Sequence, residues 1–454
     1  MLKKITGLAL VLSTVSTLAM AENLSNVLSY TYENSLTINA ERAGLKATDE
    51  SVARAKSGYR PSIIGQGSIG RSHTQSIYDN DFGGGKMKLN QDPNAVSINL
   101  VQPVFSGLST YNSVEAAKQQ VRSARSALFN TEQATLLDAV SVYMDVIRDK
   151  AVLDLQINNE KVLARHLESY KKRFNAGELT RTDVAQSEAR LSGATANRIA
   201  AEGFLEVSNA NYFSVIGLTP AKQMDDVSDS EMRLPKSLED ALRIAMERNP
   251  QIKAAEYAVQ AAGYTVSAKK GALSPQIDIT AGAGKQHEVS TFQRNDTWEV
   301  MANMKVPLYQ SGAEYADIRA AKQTENQYRI LLAKIKQDVR AQTISAWENY
   351  ASNKAQIKSL KDQIKASKIA LDGVIREAQV GSRTVLDVLD AEQEHLDNQV
   401  SLVKVHRDEI VSAYALLSAV GQLNPEDLKL DVPTYDDKKY YNKVKNKWFG
   451  YNVE

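Results

Sequence analysis

The amino-acid sequence predicts a mostly helical α+β chain made of two copies of one unit, with long coiled-coil helices joined to four β-strands in all. Three observations carry this expectation. A shift of 204 residues places Gly177–Val184 on Gly381–Val388. The same shift places Pro103 on Pro307, Tyr111 on Tyr315, Ala116-Ala117-Lys118-Gln119 on Ala320-Ala321-Lys322-Gln323 and Gly217 on Gly421. A shared register over that span marks an internal duplication, so differences between the copies become informative. Next, each copy contains period-two apolar alternation between two prolines. Finally, Ser109–Arg173 and Ala313–Ala378 contain no proline and only one glycine, Gly373.

Residues 1–21 read as a secretory signal peptide: Lys3 and Lys4, an apolar stretch from Ile5 to Leu18, and a small-x-small site at Ala19-Met20-Ala21. The apolar stretch falls short of the ~20 residues of a membrane anchor. Cleavage leaves Glu22 first. The chain has no cysteine, so an N-terminal cysteine cannot carry lipid and no disulfide supports the fold outside the cytoplasm. Without residues 1–21 the balance is 53 basic against 54 acidic side chains, which gives no support for nucleic-acid binding. No later apolar run is long enough for a membrane helix, so any membrane crossing must be made by strands of a closed barrel.

The first repeat covers 22–217 and the second 238–421, with a linker at 218–237 and a tail at 422–454. Each opens with a helix ending before a proline, Leu24–Lys56 before Pro61 and Leu238–Lys270 before Pro275. The shift here is 214, so the first copy carries ten extra residues between its first and second prolines. β-Hairpins are expected at about 61–105 and 275–309. Trp298, Val300, Ala302, Met304 and Val306 alternate with Glu299, Met301, Asn303 and Lys305, while Val96, Ile98 and Leu100 sit at matching positions in the first copy. One apolar and one polar face fit either a membrane barrel strand or a soluble hairpin packed on helices. The ten extra residues fall in the polar stretch Ser72–Gln91, expected as an exposed loop.

The proline-free stretches predict helices of roughly 100 Å at ~1.5 Å per residue. Their apolar residues (Leu128, Leu136, Val140, Tyr143, Ile147, Leu153 and Ile157 in the first) follow heptad spacing, which calls for neighbouring long helices. The turns come at Gly177 and Gly381, within tips at about 174–183 and 378–390. Returning helices run Thr180–Ile216 and Thr384–Val420 and stop at Gly217 and Gly421. Four strands cannot close a barrel, and an open edge in lipid costs several kcal/mol per unpaired group. A membrane form must therefore oligomerise, and the alternative is a periplasmic coiled-coil or adhesion scaffold without a pore. The five histidines form no metal-type cluster, and no phosphate loop, nucleophile elbow or dinucleotide fingerprint is present, so neither enzyme nor cofactor is expected. The tail mixes Lys438, Lys439, Lys443, Lys445 and Lys447 with Tyr435, Tyr440, Tyr441, Trp448 and Phe449. Such a segment can bind membrane surfaces, but more often it is mobile or lies along the body.

The mature chain, roughly Glu22–Leu430, resembles the TolC family of outer-membrane channels. The resemblance rests on the duplication, Gln102-Pro103-Val104-Phe105-Ser106-Gly107, Val306-Pro307-Leu308-Tyr309-Gln310-Ser311-Gly312, Arg173-Phe174-Asn175-Ala176-Gly177 and Val380–Ala391. It implies a homotrimer with a twelve-stranded β-barrel in outer-membrane lipid and a periplasmic α-helical barrel whose tip is a gate. It also implies a passive exit duct of an efflux pump or type I secretion system. Its partners would be a periplasmic adaptor and an inner-membrane transporter of RND or ABC type.

At the tips, Thr180 with Asp183 and Thr384 with Asp387 form capping boxes with Asp in place of Glu. Asp390 has Gln186 as its counterpart, so the repeat does not need an acid there. Asp387 and Asp390 share one helix face and repel slightly. In a trimer they would place six carboxylates around the axis, a ring that favours cations. The resemblance gives this pair the selectivity role. It also implies that Arg383 locks onto the neighbouring tip, which offers Thr182 and Asp183. The family's tyrosine three residues before the tip glycine is here Ala378. Adaptor docking falls on the turns: Gly177, Leu179 and Thr180 in one copy, and Gly381, Ser382, Thr384 and Val385 in the other.

Overall fold

Proline and glycine punctuate the chain as its local chemistry requires. The computed structural model describes residues 23–78, 83–228, 232–288 and 293–452, so the signal peptide expected at 1–21 lies outside them. Nine helices are described: α1 (Leu24–Asn34), α2 (Leu36–Lys56), α3 (Ser109–Asn175), α4 (Arg181–Ile216), α5 (Leu238–Arg248), α6 (Pro250–Lys270), α7 (Ala313–Gln379), α8 (Val385–Ala419) and α9 (Lys439–Val444). The strands are β1 (Ser62–Ile69), β2 (Ser72–Tyr78), β3 (Gly85–Gln91), β4 (Pro93–Ser106), β5 (Gln276–Glu288) and β6 (Gln293–Lys305). α3 and α7 are each 67 residues long.

Two compact units cut across the sequence repeats. One takes residues up to Leu36, Glu132–Ala241 and Thr343–Pro433; the other takes Thr37–Thr131, Leu242–Gln342 and the residues from Thr434 onward. Each draws on both copies, because long antiparallel helices bring distant sequence together at every level.

The second unit holds an antiparallel sheet in the order β1-β4-β5-β6, with a separate β2-β3 ladder. β4 pairs with β5, so the two copies join through their inner strands, from Pro93 opposite Glu288 to Ser106 opposite Gln276, with a bulge after Pro103. Proline has no N–H for the ladder, which accounts for the bulge. The stretch expected as a loop at Ser72–Gln91 instead continues the first hairpin as β2 and β3, paired from Ser72–Gln91 to Tyr78–Gly85. Both faces of that ladder are largely polar, so the apolar alternation that marks the other strands is missing here. On the main sheet Ile63, Ile98, Trp298, Val300 and Met304 stand exposed, Trp298 at 82%. The opposite face carries polar contacts, with Asn303 donating to Asp278 and Thr280 at 3.2 and 3.1 Å. A soluble hairpin packed on helices would cover the first face.

Each second hairpin strand passes to its long helix through two successive left-handed residues, Gly107-Leu108 (φ 63° and 64°) and Ser311-Gly312 (φ 56° and 84°). Each junction includes one glycine, which accepts this backbone at little cost. The tail lies along the second unit. Arg42, Arg60 and Arg125 of the body sit over Tyr435, Trp448 and Tyr441 at 4.8, 4.8 and 5.0 Å. Tyr440 donates to Glu50 at 2.9 Å and Val444 is buried. The aromatic residues, more than the lysines, therefore fasten this segment, each cation–π contact contributing about 0.5–1 kcal/mol at an exposed site.

In the first unit Leu136, Val140 and Tyr143 of α3, Tyr212 of α4 and Ile410 and Leu416 of α8 are fully buried. Asp149 is fixed among them, accepting from Arg148 at 2.7 and 2.8 Å and from the Ser208 hydroxyl at 2.5 Å. The linker is tied to α8 by His406, whose Nε2 meets Asp226 at 3.1 Å while Nδ1 faces Glu409 at 3.5 Å. The hydrogen bond to Asp226, opposed by burial, raises the imidazole above its ordinary value of 6.5. A raised histidine stabilises the fold below its unfolded value and loses that contribution as pH rises through the folded one. Hydrogen exchange at the Val227 amide, which donates to Asp226 at 2.9 Å, should therefore quicken as pH rises through that window, beyond the intrinsic pH trend. An unaltered protection factor would remove His406 as the tie.

Candidate functional site: the helical tips

Both tips use one backbone solution. Gly177 (φ 82°) and Gly381 (φ 81°) are left-handed. Glu178 N–H donates to the Arg173 carbonyl and Gly177 N–H to the Phe174 carbonyl, both at 2.9 Å; Ser382 to Glu377 and Gly381 to Ala378 repeat the pattern at 2.9 and 3.3 Å. This is the paired closure that satisfies the last carbonyls of a helix. The next helix starts on a capping box in each copy. The Asp183 amide donates to the Thr180 hydroxyl at 3.2 Å, and the Thr180 amide and hydroxyl donate to Asp183 at 2.9 and 2.7 Å. Thr384 and Asp387 repeat this at 3.2, 2.9 and 2.8 Å. The backbone N–H and hydroxyl of Thr384, with help from Arg383, hold the Asp387 carboxyl below its ordinary range.

Each turn is braced by an ion pair of opposite polarity. In the first tip Arg173 at the helix end donates to Glu178 in the turn at 3.0 Å; in the second, Arg383 in the turn donates to Glu377 at the helix end at 2.9 Å. Arg383 is thus tied within its own tip, not to Thr182 or Asp183 of this chain. Thr182 is exposed, and the Asp183 carboxylate is occupied by Thr180.

One expectation needs correction. Val385 is buried, in a cluster with Leu163, Tyr170, Ala194 and Leu389, and Leu179 packs against it. Val385 therefore holds the tip together and does not offer a docking surface, while Leu179 is only half-buried. The apolar residues that are exposed at the tips are Val380 (79%), Phe174 and Leu386. Gly177, Thr180, Gly381, Ser382 and Thr384 are exposed. Heptad bookkeeping could have found the buried set, since Val385, Leu389 and Leu396 follow helical spacing.

Asp390 has a partner of its own, because Arg190 of α4 donates to its carboxylate. Nearby, His166 of α3 meets Glu392 of α8 at 2.8 Å and stacks on Tyr170 at 5.7 Å. Sequence inspection missed Arg190, His166 and Glu392, since 200 residues separate Arg190 from Asp390. Among the described residues no cluster of His, Asp and Glu could hold a metal ion.

Exceptionally long helices turning through capped tips, joined to a sheet with a bare apolar face, define the class of outer-membrane channels. The fold is similar to the Campylobacter jejuni CmeC outer membrane channel, with a TM-score of 0.78 at 14% identity, covering 93% of this chain and 89% of that one. The chain belongs to the outer membrane efflux protein family, whose pattern matches residues 27–217 and again 241–422. It is 37% identical to the outer membrane efflux protein BepC of Brucella suis, covering 95% of this chain and 92% of the relative. It is 26% identical to the outer membrane protein TolC of Vibrio cholerae, covering 92% and 94%. The protein resides in the outer membrane.

Proposed function

We propose that the chain is one protomer of a homotrimeric, passive, gated exit duct serving a tripartite efflux pump or a type I secretion machine. The observation that carries oligomerisation is the sheet, and the family resemblance supports three copies. Four strands end at β1 and β6, each paired on one side only among the described residues. In lipid such edges must be closed, and three copies supply twelve strands. The long helices would continue the ring into the periplasm. The tips then meet a periplasmic adaptor and an inner-membrane transporter of RND or ABC type. Gly177, Thr180, Gly381, Ser382 and Thr384, with exposed Val380, Phe174 and Leu386, supply the contact surface. A duct of this kind carries what its transporter loads.

Asp387 is held ionised at the tip mouth and favours cations there. Protein inserted in a planar bilayer should pass cation-selective current. Asp387→Asn keeps an oxygen for the cap and should lower the cation preference about two-fold or more. Absence of current from folded, inserted protein would overturn the duct, and unchanged selectivity would remove Asp387.

A further inference from the structure

We propose that tail residues 445–452 bind phospholipid and anchor the helix-to-sheet junction at the inner leaflet of the outer membrane. This rests on the outer-membrane location and the lipid-facing sheet, but not on conduction. The contacts of the tail advance along α2 in step with it. Arg42 lies over Tyr435, Tyr440 donates to Glu50, Lys56 donates to Asn446 at 2.7 Å, and Arg60 donates to the Lys447 carbonyl at 2.8 Å. Arg60 also sits over Trp448. It stands two residues ahead of β1, whose first residue, Ser62, pairs with Val101 of β4. The tail is thus delivered to the end of the sheet that joins the helices. There the apolar face begins, with Phe105, Ile277 and Met304 in one row.

Below that level the apolar side chains of the tail are covered. Val444 is buried, and Tyr441 packs against Val52, Ala117 and Val121. At the sheet this changes: Trp448, Phe449 and Tyr451 are 61%, 85% and 97% exposed. Gly450, left-handed at φ 101°, turns the chain between the last two rings. A segment that only strapped the helices would tuck these rings in, as it does Tyr441. Bare Trp, Phe and Tyr at the rim of an apolar band match the aromatic belt of membrane proteins, where such rings settle at headgroup level.

Charge selects the occupant. Residues 438–452 hold five lysines and no acid. Lys118 on the body is matched by Glu115 at 2.6 Å. Lys56 and Lys445 instead donate to the side-chain oxygens of Asn446 and Asn442, and Lys447 to the Asn452 carbonyl, each at 2.7 Å. Such neutral acceptors leave the positive charge in place. Burial first, then the charges of Lys118, Lys445 and Arg60, lower the Lys56 ammonium from its ordinary value. Cations crowded in this way call for an anion. A phospholipid supplies its phosphate to the lysines and its upper acyl carbons to the rings. A second copy closing on β1 would bring the end of β6 beside this segment, and that end carries Lys305, a further cation.

The chain's three tryptophans, Trp298, Trp347 and Trp448, supply the test. Trp298→Phe with Trp347→Phe leaves Trp448 as the reporter; Trp347→Phe with Trp448→Phe leaves Trp298. Each full-length variant is inserted into phosphatidylcholine vesicles containing phosphatidylglycerol, with bromine on the acyl chains of one lipid or the other. Trp298 should be quenched, showing that the sheet is in lipid. Trp448 should be quenched more by bromine near the headgroup than by bromine near the chain end. It should also be quenched more by brominated phosphatidylglycerol than by brominated phosphatidylcholine. Lys443→Gln and Lys445→Gln should each lower that preference by up to about five-fold. With Trp298 quenched, a Trp448 reached by aqueous iodide but by no brominated lipid lies in water, and one reached by neither lies against protein. Either result overturns the anchor and leaves the barrel standing, and an unchanged preference in both lysine variants overturns the phosphate contact. A Trp298 that escapes brominated lipid would refute the lipid-facing sheet, and the anchor with it.

Discussion

Gly107→Ala should be among the most destabilising single changes in the chain, at about 3 kcal/mol. A Cβ there would overlap the Gly271 carbonyl oxygen and lie 2.6 Å from Ser274 Cβ, at a backbone φ of 63°. The obstruction is backbone, which cannot swing aside as a flexible side chain would. Gly312, at the matching strand-to-helix junction, is the control. Its φ is 84°, but nothing lies within 4 Å of an added Cβ, so Gly312→Ala should cost only the left-handed strain, about 1 kcal/mol. Thermal unfolding of the purified variants would rank them. Equal losses would show that strain alone, and not the close approach of Gly107 and Gly271, limits these junctions.

Asp49→Asn should stabilise the protein at neutral pH. Asp49 of α2 is 1% exposed, and neither carboxylate oxygen has a hydrogen-bond partner. Burial pushes its pKa up to about 6, opposed by Arg125 and reinforced by Asp437 and Glu50. Between the unfolded value of 3.8 and about 6 the folded chain keeps a proton that the unfolded chain has lost. Stability therefore falls as pH rises across that window, and above it the charged form costs about 3 kcal/mol. The asparagine amide stands in for the protonated acid, so the gain should be about 3 kcal/mol at pH 7.5 and vanish below pH 4. A variant no more stable than wild type at pH 7.5 would mean that Arg125 already compensates the charge. The same group bears on the tail, because Arg125 also meets Asp437 at 3.4 Å and lies over Tyr441.

How much was legible in the sequence depended on the range of each interaction. Capping at Thr180-Asp183 and Thr384-Asp387, and closure at Gly177 and Gly381, follow from residues three to five apart, and the sequence shows them directly. The duplication announced two matching long helices, and α3 and α7 are equal in length. The β2-β3 extension was not legible because a ladder of mostly polar residues lacks the alternation that reveals a strand. Val385 was misread because its apolar side chain beside a glycine turn has the same local appearance whether it packs inward or faces a partner.

By itself, then, the sequence determined the long helices, the turns and the family, because helix periodicity, caps and repeats are written within a few residues of one another. Only the tertiary structure decided which charges meet. Asp390 stands in the sequence without a visible partner until α4 is placed beside α8 and Arg190 meets it, and Arg383 meets Glu377 only in the folded turn. Ion pairs depend on distance in space, and packed antiparallel helices set that distance independently of separation along the chain.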